Sequence, residues 1–329
     1  MTTTVGTAPF LWRPDPEWPQ VPDHIDLCEA VGVATDSADR AFVFHRGEPA
    51  VLIFEADGSF VSAWGDGQFV RPHGIWIAPD DTVYLTDDQG HSVRQYSPDG
   101  ELIRTIGPEG RPSETGYKNG DLRTITQGGP PFNLPTNLVV ASTGELYVTD
   151  GYGNARVHRF SPDGELIASW GKSGSGAAEF FLPHGIGIDR DDRLYVADRE
   201  NSRVQVFSPD GEFLDEWTDV VRPCEVFVAG DGLIYVAEVG LRVGMFPWMR
   251  RDLSQSGGRV SVYDSGGALQ ARWGGGDDPT SPGDFYAPHD VWVDRPGNVY
   301  VAEVKVAAAV SVGDDTSALP TLRRFVRER

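Results

Sequence analysis

Three Pro-His dipeptides stand at matching places in this chain, each opening a short apolar run: Pro72-His73-Gly-Ile-Trp-Ile, Pro183-His184-Gly-Ile-Gly-Ile and Pro288-His289-Asp-Val-Trp-Val. Three neutral imidazoles brought together bind a transition metal and leave a fourth position for water or a substrate oxygen, the arrangement of catalytic zinc. A structural repeat signature would also put histidines there, each filling space and bonding to backbone. The repeat does not demand histidine, however, because the equivalent places elsewhere hold Val31, Thr136 and Cys224. We therefore read His73, His184 and His289 as metal ligands. Cys224 reads as a small lining residue, although a thiol there could also serve a soft metal.

These positions match because the chain repeats itself. One phrase runs Leu146-Tyr-Val-Thr-Asp150, Val157-His-Arg-Phe160, Ser161-Pro-Asp-Gly164 and Glu165-Leu-Ile-Ala-Ser-Trp170. It returns from Thr82 and from Leu194, with looser copies near Val31, Cys224 and His289, which makes six. Short apolar strands joined by Asp-Gly turns are hairpin signals, and no long stretch has a helical period. Four strands per unit repeated radially predict an all-β, six-bladed β-propeller. We expect one domain over 1–329, with residues 1–29 as an N-terminal wrap and blades near 30–65, 73–107, 135–171, 183–217, 223–274 and 288–326. Closure of the ring is expected from the segment around Ile25, pairing with a last blade that ends near Phe325. In such a ring the histidines fall on alternate blades, about a third of a turn apart, and converge on the axis.

The loop leaving the second strand of a blade supplies the next set of candidates. Blade one carries His45-Arg46-Gly47, blade three Asp150-Gly151-Tyr152-Gly153-Asn154 and blade four Asp198-Arg199-Glu200-Asn201. Arg46 and Arg199 share a repeat position, and guanidinium groups suit a carboxylate, which they bind through paired hydrogen bonds. Tyr152, in a glycine-flanked loop near a cation and a metal, is a candidate general base. Each has a plain alternative: Arg199 pairing with an acid of its own loop, and Tyr152 serving as packing.

Composition narrows the partners. With 49 acidic against 28 basic residues the net charge is -21, a field that repels nucleic acid and anionic membrane. No apolar run approaches the length of a membrane span, and the N-terminus lacks the basic and apolar regions of a signal peptide. Two cysteines, Cys28 and Cys224, make no disulfide framework. A cytoplasmic monomer is expected. Longer insertions lie at 108–131 and 240–258; the second, with Met245, Phe246, Trp248 and Met249, reads as a loop over one face.

The phrases Phe44-His-Arg-Gly47, Pro72-His-Gly74, Asp150-Gly-Tyr-Gly-Asn154, Pro183-His184, Ala197-Asp-Arg-Glu-Asn201 and Pro288-His-Asp290 together resemble one known family. It is the family of NHL-repeat six-bladed propellers that contains peptidyl-α-hydroxyglycine α-amidating lyase, and the resemblance covers nearly everything after about residue 30. It implies catalytic zinc on His73, His184 and His289, a catalytic tyrosine at Tyr152, a substrate-carboxylate arginine at Arg46 and a second active-site arginine at Arg199. It also implies a structural calcium held by the carbonyls of Val33 and Ile75, which share one repeat position, and by the Asp290 carboxylate, oxygen ligands that suit a hard cation. The implied reaction cleaves the C–N bond of an N-acyl α-hydroxyglycine, giving an amide and glyoxylate without hydrolysis.

The chain departs from that family in two places. Ala287 stands where the animal lyases have methionine, and Gly153 where they have a disulfide-forming cysteine. A stand-alone chain without a monooxygenase domain is not expected to act on peptide hormones, so small N-acyl or N-alkyl hydroxyglycines and other hemiaminals are as suitable as peptides. Two other classes stay open: a metal-dependent hydrolase such as a lactonase on the same propeller, and a non-catalytic NHL-repeat interaction module.

Overall fold

The computed structural model describes residues 3–241, 256–310 and 312–328. Among them the chain is nearly all strand, six antiparallel sheets with one short helix at Lys305–Val310. It is a six-bladed β-propeller, each sheet being one copy of the repeated phrase. In the copy made of Pro183–Ile188, Leu194–Asp198, Arg203–Phe207 and Phe213–Trp217, the first three strands are buried along almost their whole length and the fourth is largely exposed. This gradient explains why Leu194-Tyr-Val-Ala is apolar without alternation: a strand covered on both faces has no polar side to present. The Ser-Pro-Asp-Gly turns close the outer hairpin. Gly164, at φ +86°, donates its N–H to the Ser161 carbonyl at 2.9 Å, a left-handed conformation that glycine adopts without strain.

The chain forms two compact units, residues 67–223 and residues 1–66 with 224–329. The first contains three blades, of which the last two interlock through Val139, Tyr147, Val157, Phe180, Ile186 and Leu194. Its insertion at 108–131 is tied down beside Tyr152: the Thr115 hydroxyl donates to the Gly153 carbonyl at 2.5 Å, and Ser113 N–H donates to the Phe132 carbonyl at 2.9 Å. The insertion expected at 240–258 lies outside the described residues from 242 to 255.

In the other unit the last blade is completed by the N-terminus, but not by the segment around Ile25. Phe10–Asp15 pairs antiparallel with Leu322–Arg327, with Trp12 opposite Arg327 and Pro14 opposite Phe325, and Val5–Thr7 adds a fifth strand. The reason is the anchor available to each segment. Trp12 is fully buried, lies 5.0 Å from the Trp273 ring and donates its indole N–H to the Gly297 carbonyl at 3.0 Å. Ile25 is flanked by Asp23 and Asp26 and is only half-buried, its N–H turned back to the Pro22 carbonyl. Cys28 and Cys224 are free thiols, and no helix among the described residues is long and apolar enough to cross a membrane.

A buried acid ends the second strand of five blades: Asp87, Asp150, Asp198, Glu238 and Glu303. Four of them hold the backbone that leads into the first strand of the same blade. Asp87 accepts from the N–H groups of Val70 and Arg71, Asp150 from Asn133, Asp198 from Phe181, and Glu303 from Tyr286 and Ala287, all at 2.7 to 3.1 Å. Charge-assisted bonds of this kind are strong, and a buried N–H left without one carries its full desolvation cost. Asp150→Ala is therefore expected to destabilise the protein by about 2 kcal/mol or more, measured by denaturant unfolding; an unchanged midpoint would refute this role for the carboxylate.

Candidate active site

Each Pro-His histidine is carried at the start of a first strand and is buried. His73 directs Nδ1 at the Thr136 carbonyl, 2.7 Å away, and His289 makes the equivalent bond to the Val31 carbonyl, also at 2.7 Å. Thr136 and Val31 occupy the matching place in the next blade, so the bond belongs to the repeat. A carbonyl only accepts, which puts the proton on Nδ1 and leaves Nε2 with its lone pair. That is the form a metal ligand needs, and a backbone carbonyl behind the ring is the usual support for one. His73 and His184 lie in one compact unit with their ring centroids 4.8 Å apart, and the buried His289 belongs to the other. Two other buried histidines serve loops: His45 Nε2 bonds the Pro49 carbonyl at 2.7 Å, and His91 Nδ1 accepts from Leu134 N–H at 3.1 Å. Burial lowers the pKa of both below the ordinary imidazole value.

Tyr152 meets two of the ligand candidates directly. Its hydroxyl oxygen lies 3.2 Å from His73 Nε2 and 3.0 Å from His184 Nε2, with both imidazoles edge-on to the phenol ring. Arg199 donates an NH1 proton to the same oxygen at 3.3 Å, and the guanidinium groups of Arg199 and Arg71 lie 5.4 and 5.8 Å from the ring centroid. The flanking glycines are needed for close approach: a Cβ on Gly151 would fall 2.0 Å from the Pro183 carbonyl oxygen, and one on Gly153 would fall 2.2 Å from Asn133 Oδ1. The second contact shows why Gly153 could not be cysteine in this chain without moving Asn133.

The three polar candidates outside the histidines share one backbone device. Arg46, Tyr152 and Arg199 donate their N–H groups to the carbonyls of Glu29, Leu134 and Leu182, at 3.0, 3.4 and 3.0 Å. Asp88 makes the same bond to Arg71 at 3.3 Å and Val304 to Ala287 at 3.1 Å. The acceptors all stand two residues before the histidine position, and this lead-in position was not singled out by the sequence analysis. Its occupants carry charge that matters. Glu29 holds Arg46 NH1 at 2.7 Å, and Arg71 pairs with the buried Asp88 at 2.8 Å. Arg46, expected to present its guanidinium to a substrate carboxylate, thus already has a carboxylate partner, which in turn also accepts from Ala307 N–H. The available signal was the lining-up of Glu29, Arg71, Arg222 and Ala287 at one repeat position.

Of the residues expected to hold calcium, Asp290 is buried, and its carboxylate accepts from Val33 N–H at 2.7 Å and Val291 N–H at 2.8 Å. Burial pushes its carboxyl up to about 7. Ile75 is buried in the strand Pro72–Ile77, opposite Leu85.

The description "NHL repeat" matches residues 132–160 and 182–207. Over 210 residues the chain is 33% identical to NHL repeat-containing protein 3 of Homo sapiens, covering 59% of this chain and 56% of that protein. It is 29% identical over 221 residues to peptidyl-alpha-hydroxyglycine alpha-amidating lyase 1 of Drosophila melanogaster, covering 56% of this chain and 38% of that one. The chain thus spans little more than half the length of the first of these relatives and less of the second. Among solved structures, a gluconolactonase of Xanthomonas campestris superposes with a TM-score of 0.59 at 15% identity, over 91% of this chain and 86% of that one, a likeness of fold alone.

Because the Gly151 contact is with backbone, it cannot be relieved by a side-chain rotation. Gly151→Ala is expected to cost about 1–3 kcal/mol and to displace the Tyr152 hydroxyl from the two imidazoles, visible in a crystal structure of the variant. A variant of unchanged stability with Tyr152 in place would contradict that.

Proposed function

We propose that this NHL-repeat propeller is a metal-dependent lyase that cleaves N-acyl α-hydroxyglycines, or closely related hemiaminals, to an amide and glyoxylate. The observation that carries the reading is the Tyr152 hydroxyl facing the Nε2 atoms of both His73 and His184. Two buried imidazoles that present Nε2 to one hydroxyl bring nitrogen donors and an acid–base group to the same point, with an Arg199 N–H at the hydroxyl oxygen, and this grouping supports a Lewis-acidic ion beside a proton acceptor. Zinc is the ion that three neutral nitrogen donors favour. When bound, such an ion would polarise the substrate hydroxyl and make its proton easier to remove.

The residues' part in the reaction then follows from their places. Tyr152, as the phenolate, would take the hydroxyl proton, the C–O bond would become the aldehyde carbonyl of glyoxylate, and the C–N electrons would leave with the amide nitrogen, which would be protonated by the tyrosine or by water. No water is consumed. Arg199 fixes the Tyr152 oxygen by its NH1 bond, while Arg46 and Arg199 are the proposed contacts for the substrate carboxylate. For calcium, the Val33 and Ile75 carbonyls with Asp290 remain the proposed ligands: the buried Asp290 carboxylate accepts from the Val33 and Val291 N–H groups, and a hard cation would suit its oxygens.

The test is metal content together with product analysis. Protein purified without an affinity metal column is expected to carry about one zinc per chain, to lose it in His184→Ala, and to release glyoxylate from N-benzoyl-α-hydroxyglycine. Tyr152→Phe should retain the metal and lose about 10²–10⁴ in kcat, the range of general acid–base catalysis. Absence of a stoichiometric transition metal after reconstitution would sink the lyase reading, and metal with activity on lactones alone would favour a hydrolase.

A further inference from the structure

Arg199 is held at two points of its guanidinium. NH1 donates to the Tyr152 oxygen at 3.3 Å, and Nε donates to Glu200 Oε1 at 2.9 Å. That same Oε1 accepts from Arg222 NH2 at 2.7 Å, and Oε2 accepts from Arg222 Nε at 3.3 Å. The side chains of Arg199, Glu200 and Arg222 are 5, 4 and 2% exposed, so the line from Tyr152 to Arg222 runs almost entirely out of water.

Stability alone does not explain this line. Taking each ion out of water costs several kcal/mol even after relaxation, and well-packed apolar replacements of buried ion clusters are often neutral or stabilising. The repeat offers such a replacement. Arg222 stands at the lead-in position, directly before Pro223, where the two preceding blades carry Leu134 and Leu182. All three have left-handed backbone, at φ +50°, +63° and +76°, so the position sets the conformation and arginine is not required for it. Leucine serves in the neighbours, yet this blade spends an arginine on a carboxylate whose other partner is Arg199.

The backbone holds Glu200 in register for that contact. Residues Arg199–Asn201 make one 3-10 turn, in which Arg199 N–H donates to the Leu182 carbonyl and Glu200 N–H to the Phe181 carbonyl, both at 3.0 Å. Arg222 N–H in turn reaches the Ser202 hydroxyl at 3.2 Å. With one face of the carboxylate taken by the Arg222 fork, Oε1 has a fixed place, and the Nε edge of Arg199 is bound to it. Its NH1 edge is thereby turned to Tyr152.

We propose that Glu200 and Arg222 are positioning residues, a buried clamp that sets the Arg199 guanidinium against the Tyr152 oxygen and aims it at the carboxylate of a small anionic substrate. The identity of that anion rests on the lyase reading given above; the clamp itself does not. Neither residue touches Tyr152 or the histidines in the contacts described, so both act through Arg199.

The experiment has two arms. Crystal structures of zinc-loaded wild type and Arg222→Gln test the geometry without any substrate: the Arg199 guanidinium is expected to leave the Tyr152 oxygen in the variant, and an unmoved Arg199 would overturn the clamp. Calorimetry with glyoxylate, and kinetics with N-benzoyl-α-hydroxyglycine, test its consequence. Arg222→Gln is expected to weaken glyoxylate about tenfold or more, the loss of one charge-assisted contact, and to raise KM at unchanged zinc content. It should cost nothing further in an Arg199→Gln background, because the effect passes through that residue. A purely structural Arg222 would lower the melting temperature alone, or add its loss to that of Arg199→Gln, and either result overturns the proposal. If Arg222→Gln fails to fold, the isosteric Glu200→Gln carries the same predictions. Wild type that binds glyoxylate but cleaves nothing would sink the lyase reading and leave the clamp standing; wild type with no affinity for glyoxylate would overturn the anion assignment.

Discussion

The structure depends on a buried carboxylate at the end of the second strand of a blade, hydrogen-bonded to the N–H groups of the segment that leads into the first. Without it, one or two amides of that segment would lose their acceptor, which carries the full desolvation cost of a buried N–H. With it, the lead-in backbone is fixed relative to the second strand, and the loop that follows the acid donates back to it, as Tyr152 does to Leu134 and Arg199 to Leu182. At Asp87, Asp150, Asp198 and Glu303 the acid, the lead-in segment and the loop residue thus form a closed circuit. Because the lead-in and loop residues enter it through main-chain atoms, the backbone leaves the choice of their side chains open. Those positions carry Arg46, Tyr152 and Arg199 on the loop side, and Glu29, Arg71 and Arg222 on the lead-in side.

Charge in these positions has a different meaning from charge on the surface. The chain's excess of acid lies largely in exposed turns such as Asp99, Asp163 and Asp210, where an ion pair contributes little and salt screens it. The pairs at the loop and lead-in positions are more buried, each having a carboxylate that is almost wholly covered. Arg46 with Glu29, Arg71 with Asp88, and Arg199 with Glu200 each join a loop residue to a near neighbour at 2.7 to 2.9 Å. Their net contribution to stability is small or unfavourable once desolvation is counted, while their orientation is sharply defined. Using such pairs repeatedly gives up stability for fixed direction, which suits the proposed carboxylate substrate.

What could be read from the sequence follows the range of the interactions involved. The Asp-Gly turns, the apolar strands and the Pro-His dipeptides are local patterns, and repetition multiplied each weak signal until the six blades and the histidine set were legible. The closing strand was not: Phe10–Asp15 meets Leu322–Arg327 across some 300 residues of chain, and no local pattern says which N-terminal stretch will find the last blade. The partners of the arginines were hidden for another reason. Glu29 precedes Arg46 by 17 residues and Arg222 follows Glu200 by 22, separations that mean nothing until strand register brings a lead-in residue beside a loop residue.

Repetition also explains why a site of several residue types can sit on one device. In the Pro-His strand, His73 uses Nδ1 to bond the next blade's Thr136 carbonyl, so the repeat consumes one ring nitrogen for structure and delivers the other, deprotonated, toward Tyr152. Thr136 takes part in that packing while contributing no ring of its own, its hydroxyl turned to Thr149 at 2.9 Å. A blade can therefore carry histidine or a filler at the same point without altering its neighbour's backbone. The hydrogen bonds that orient His73 and His289 therefore do not by themselves account for histidine at three of the six equivalent places.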